Sequence, residues 1–241
     1  MRTKAQQMFR ILTPVLLIAL AALACTISPG SEPSPTAMAT APPDQLVTYP
    51  LPIYSTTLNP GETIRGTQMT YVGREGEFYN VSIGGLPAAK RIGDSFTWKG
   101  VMAPGVVGDF NLRISPTLLS DNLLAAGSAE LFVLNPIPVE LGNDYIVLDS
   151  LLNYSNLAVD YKVPSGSQVP GTTLIYEGLV EQGAKLGGTT GFPIRAVGDS
   201  LIWTGRLRGN VVIRHSLRVA SADENSLHLV GTAELWITPS S

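Results

Sequence analysis

The residue best suited to nucleophilic chemistry is a serine that follows a glycine and an aspartate. Residues 197–203 read VGDSLIW, with Ser200 after Gly198 and Asp199. A serine hydroxyl attacks when a neighbouring base takes its proton and a third group orients that base. The chain has two histidines, His215 and His228, both on stretches whose alternation predicts strands. His215 falls on the apolar face of its strand and reads as a satisfied core or rim residue rather than a ligand. His228 falls on the face of Trp236 and reads as solvent-facing. Residues 92–98, IGDSFTW, repeat the element with Ser95, in a half of the chain that has no histidine. Ser95 lacks the usual base, so the shared element reads as a turn. Glycine accepts unusual backbone angles there, and Asp and Ser bond nearby amides. Leu201 and Trp203, like Phe96 and Trp98, then point to one face and fill the core.

Gly198-Asp199-Ser200-Leu201 resembles the signature of the GDSL esterases and lipases. The resemblance implies a serine between a buried strand and a helix, a later Gly-x-Asn-Asp and a C-terminal Asp-x-x-His. In this chain Ser200 leads into the strand-like LIWTGRL. The Gly-Asn-Asp at 142–144 precedes the serine, and no Asp-x-x-His exists. The esterase reading is set aside on these departures.

Other chemistries find less. Two histidines on separate strands without a carboxylate cluster predict no metal site. ADEN (222–225) lacks the length and spacing of a calcium loop. LGGTTGFP (186–193) is glycine-rich, yet has no phosphate-loop lysine and no following helix. No carboxylate pair is singled out by spacing, and no cofactor is implied.

These residues sit in a chain that meets itself at a shift of 105. Gly66-Thr67 falls on Gly171-Thr172, Tyr71 on Tyr176, and 92–100 on 197–205. With one residue removed, GSAELFV (127–133) falls on GTAELWI (231–237). The period is far longer than that of solenoid repeats, so each copy reads as a domain-sized unit. The elements that carry them are strands. Ile213, His215, Leu217 and Val219 alternate with Val212, Arg214, Ser216 and Arg218, and Leu227, Leu229, Gly231, Ala233, Leu235 and Ile237 alternate with His228, Val230, Thr232, Glu234 and Trp236. SADENS (221–226) makes the turn of this hairpin. Shorter strands are predicted at 159–163, 172–180 and 201–207, and Gly142-Asn143 predicts a further hairpin. The expected fold class is all-β: two tandem homologous antiparallel β-sandwich or small β-barrel domains.

Arg113 and Arg218, and Glu130 and Glu234, recur between the copies on the outer face of the hairpin. Their modest reading is a cross-strand ion pair in each copy. The sharper one is a binding surface, shared with Phe132 and Trp236. Those two aromatics predict either burial under another sheet or the sister domain, or a ligand platform.

Residues 1–25 combine Arg2, Lys4 and Arg10 with an apolar run from 11 to 24. The run is too short for an ordinary spanning helix and has the length of a signal-peptide core. Ala22-Leu23-Ala24-Cys25, small residues before a cysteine, resembles the lipobox of bacterial lipoproteins, with Ala22 where Leu is commonest. The resemblance implies cleavage before Cys25 and acylation, palmitate included, of its sulfur and new N-terminus. Two or more acyl chains, at about 0.8 kcal/mol per buried CH₂, make a durable anchor. Cys25 is the single cysteine, so an intrachain disulfide and a thiolate metal site are excluded. Residues 28–43 hold five prolines and no hydrophobic period. Extended at about 3.1 Å per residue, they would reach roughly 50 Å, a spacer between membrane and folded head. Without residues 1–24 the chain has 13 basic against 19 acidic residues. That balance argues against nucleic-acid binding.

The expected order is a signal peptide (1–24), a lipidated N-terminus and linker (25–43), and β domains at 44–136 and 137–241. The expected protein is an envelope lipoprotein, held at the extracytoplasmic side of a bacterial membrane through Cys25. Its predicted role is non-catalytic, binding an envelope protein or glycan or serving a structural purpose. The alternative is an extracytoplasmic hydrolase acting on esters or glycans.

Overall fold

The computed structural model describes residues 46–117, 121–141, 150 and 152–239. Cys25, the leader, the linker and the Gly142-Asn143 turn lie outside them. Every regular element among the described residues is a strand, and every pairing between strands is antiparallel. The first half contains β1 (Leu46–Leu58), β2 (Met69–Glu75), β3 (Phe78–Ile83), β4 (Leu86–Lys90), β5 (Ser95–Ala103), β6 (Val106–Ser115) and β7 (Leu123–Leu134). The second contains β8 (Val139–Glu140), β9 (Leu152–Pro164), β10 (Ile175–Val180), β11 (Gly183–Gly187), β12 (Ile194–Arg195), β13 (Ser200–Arg208), β14 (Val211–Ala222) and β15 (Ser226–Ile237).

The larger sheets run β1-β7-β6-β5 and β8-β13-β14-β15-β9, and the smaller ones β2-β3-β4 and β10-β11-β12. Apart from the short β8, the second half therefore has the same strand order as the first. Each small sheet is hooked to its large one by a buried tyrosine. Tyr71 Oη donates to Asp121 O at 2.9 Å, and Tyr176 Oη donates to Asp223 O. β14 runs on to Ala222, so the turn expected over 221–226 narrows to Asp223–Asn225. There the Asp223 carboxylate accepts from the backbone N–H of Asn225 and of Ser226, each at 2.8 Å.

The alternation in the sequence decides which face is buried. Ile213, His215, Leu217 and Val219 are buried, as are Leu227, Leu229, Ala233, Leu235 and Ile237. One core spans both halves, because β1 and β9 lie side by side. Tyr154 of β9 packs on Phe110 of the first half, with ring centroids 6.4 Å apart. Tyr49 of β1 packs on His215 of the second, at 5.9 Å. Gly66 and Gly171 make this exchange sterically feasible. A Cβ on Gly66 would lie 3.0 Å from the Leu152 side chain, and one on Gly171 would lie 2.4 Å from the Tyr49 hydroxyl. Both have positive φ, +76° and +70°, which favours glycine independently.

Candidate functional site

The Gly-Asp-Ser element is the same turn in both halves. Gly93 and Gly198 have φ of +91° and +93°. The Asp94 carboxylate accepts from Arg91 N–H and the Asp199 carboxylate from Ala196 N–H, each at 2.8 Å. Gly93 N–H donates to Ile114 O, and Gly198 N–H to Val219 O, each at 2.8 Å. The aspartates thus close the turn that starts β5 and β13. Ser95 and Ser200 open those strands, exposed and opposite Arg113 and Arg218. His215 lies on the other, buried face of the sheet, opposite Trp203. His228 stands two strands from Ser200 and bonds Asp160 at 2.7 Å. No hydrogen bond joins Ser200 to either histidine among the described residues.

The outer face of each hairpin presents the recurrent residues in the expected direction but not in the expected pairs. Arg113 lies opposite Ala126 and donates to Gly93 O at 2.9 Å, while Glu130 lies opposite Asp109. Arg218 lies opposite Val230, and Glu234 faces Arg214 and accepts from the Asn153 amide at 3.2 Å. The expected Arg113–Glu130 and Arg218–Glu234 ion pairs do not form. The hairpin register places each arginine four positions along the strand from the residue facing its glutamate. The ion pair on the first outer face is instead Lys99–Asp109, at 2.9 Å. Phe132 and Trp236 are both half-buried. Lys99 Nζ lies 5.3 Å from the Phe132 ring centroid, a cation–π contact that covers part of the aromatic surface. The shallow depressions of these two faces include Glu130 in the first half and Arg218 in the second.

A deeper cleft of about 490 Å³ opens at the seam between β1 and β9. Tyr54 and Tyr154 form its aromatic wall, with ring centroids 6.5 Å apart. Tyr54 also meets Phe110 edge-on, and the Tyr154 hydroxyl donates to Arg65 O at 3.3 Å. Burial raises both tyrosine pKa values, and a hydrogen bond with Thr56 partly offsets the rise at Tyr54. On the polar side Glu62 accepts from Asn59 N–H at 2.8 Å and from its amide at 3.0 Å. Those bonds, and then the Arg65 charge, hold its carboxyl below the usual range. Thr56, Thr57, Thr63 and Asn153 add uncharged polar groups. None of these residues carries a recognisable motif. The one available signal is the shift of 105, which sets Thr56 against Tyr161 and Tyr54 against Val159.

The matching seam of the second half is filled. Tyr161 occupies the inward position that Thr56 holds in the first, and it packs on His215 at 6.2 Å. His215 is enclosed by Tyr49, Tyr161 and Trp203, the last at 6.0 Å. Neither ring nitrogen of His215 reaches a hydrogen-bonding partner, and the buried Tyr49 and Tyr161 hydroxyls lie beside each other. Burial lowers the His215 pKa to about 3, so the ring is neutral. Burial, and secondarily the adjacent Tyr161, pushes Tyr49 well up. Among the described residues, no group of three or more His, Cys, Asp or Glu side chains is placed to hold a metal ion. Compared with family models, with curated proteins and with solved structures, the chain matches none of them.

Proposed function

We propose that this chain is a lipid-anchored module of the bacterial cell envelope whose β-rich head binds a partner without transforming it. The anchoring part of this reading rests on residues 1–25, with the lipobox-like run ending at Cys25, and on the Pro-rich residues 28–43. The two halves descend, in this reading, from one duplicated unit. The observation that carries the non-catalytic part is the Gly-Asp-Ser turn. It has the same hydrogen bonds in both halves, and histidine occurs in only one. An aspartate spent on closing a turn, beside a serine with no base in contact, supports a structural role for the motif. The partner is an envelope protein or glycan. The surfaces available to it include the outer faces bearing Phe132 and Trp236 and the seam cleft.

The test is a panel of chromogenic esters and glycosides, applied to the purified chain and to Ser200→Ala. This reading expects no turnover above background from either. Turnover by the unaltered chain that disappears in Ser200→Ala would favour the hydrolase.

A further inference from the structure

We infer that the cleft at the β1–β9 seam binds a short, uncharged oligosaccharide. The inference rests on the proposed binding role and names its site and ligand class. The cleft lies where the two halves differ at matched positions, with Tyr54 and Thr56 in the first half set against Val159 and Tyr161 in the second. In the second half the inward residue is Tyr161, whose ring fills the seam and reaches His215. In the first half it is Thr56, and the neighbouring cross-strand residue is Ala125 where the second half has Leu229. Tyr54 meets Phe110 in the first half as Tyr161 meets His215 in the second; beside Tyr54, where Thr56 is small, the first seam holds a volume within the roughly 300–1,000 Å³ usual for small-ligand sites.

The lining selects the ligand. The half-buried Tyr54 ring, braced by Phe110 and backed by the buried Tyr154, provides an apolar face. The other groups are hydroxyls, the Asn153 amide, and one carboxylate and one guanidinium of cancelling charge. Glu62 is already held by Asn59, and Arg65 lies near enough to lower its pKa. An anionic or cationic ligand would therefore meet no net countercharge. A sugar fits both demands: its C–H faces lie on aromatic rings, and its hydroxyls both donate and accept.

The test titrates the purified full chain, in detergent, with maltotriose, cellotriose and chitotriose by calorimetry. At least one should bind with a Kd of about 1 mM or tighter. Thr56→Tyr installs the ring that the other half carries and should weaken that sugar at least tenfold. Arg65→Ala, at an exposed position of the lining, should weaken it several-fold and serves as the deciding variant if Thr56→Tyr does not fold. Trp236→Ala, on the outer face, should leave it unchanged. Absence of binding by all three sugars overturns the inference. So does binding that survives Thr56→Tyr in a folded protein, or survives Arg65→Ala where that variant decides. A sugar lost in Trp236→Ala and kept in Thr56→Tyr removes the cleft but leaves the tethered binding role standing.

Discussion

Replacing His215 with phenylalanine isolates the energetic cost of a histidine enclosed without partners. Phe110 holds the matching position in the first half, flanked by Trp98 and Ala129, as His215 is flanked by Trp203 and Ala233. The facing groups, Tyr49, Tyr161 and Trp203, are neutral, so nothing stabilises an imidazolium there. The folded-state pKa of about 3 lies below the 6.5 of an unfolded histidine. Below pH 6.5 the unfolded chain binds the proton and the folded chain does not. Stability therefore falls with acidification, by about 1.4 kcal/mol per pH unit, until the folded pKa is reached. Between pH 7 and pH 4.5 the loss from this one ring is about 2–3 kcal/mol. His215→Phe removes it. Removing two unpartnered nitrogens also gains about 1–3 kcal/mol at any pH, offset by the tighter fit of the larger ring. The assay is urea unfolding followed by tryptophan fluorescence at pH 7 and pH 4.5, for both proteins. The stability difference in favour of the variant should grow by about 2–3 kcal/mol at the lower pH. Carboxylates such as Glu62 are common to both proteins and cancel. An equal difference at the two pH values would refute the reasoning.

Four further substitutions have outcomes set by the geometry. Asp199→Ala removes the acceptor for Ala196 N–H and should cost about 1 kcal/mol in chemical denaturation. Ser200→Ala, at an exposed position, should fall within about 0.5 kcal/mol of the unaltered protein. Gly171→Ala places a Cβ 2.4 Å from the Tyr49 hydroxyl at a φ of +70°. It should cost about 2–4 kcal/mol, seen as a lowered urea midpoint. Trp203, 1% exposed and bonded to Thr173 Oγ1 at 3.1 Å, should cost about 3–5 kcal/mol as alanine. Half-buried Trp98 should cost less in the same assay.

The strands were legible because each large sheet buries one face, so Ile213 to Val219 and Leu227 to Ile237 alternate in the sequence as they do in space. The turn at Asp199 was legible because its copy at Asp94 lies beside no histidine. The ion pairs were misread because Arg218 and Glu234 share a face in the sequence pattern, while contact depends on register. Register places Val230 opposite Arg218 and Arg214 opposite Glu234. The shared core was hidden for a similar reason. Tyr49 and Tyr154 carry no motif, and nothing local says that each ring reaches the other half. The cleft depends on Thr56 and Tyr161 being matched across two bulged strands, with register shifts between Leu51 and Tyr54 and between Ala233 and Leu235.

The most direct test of a tethered envelope module is the mass of the mature chain purified from bacterial membranes, with fragmentation of its N-terminal peptide. The expected mature chain begins at Cys25, lacks residues 1–24 and carries acyl groups on the cysteine sulfur and its new amino terminus. A mature chain that keeps Met1, or begins elsewhere with an unmodified Cys25, would contradict it.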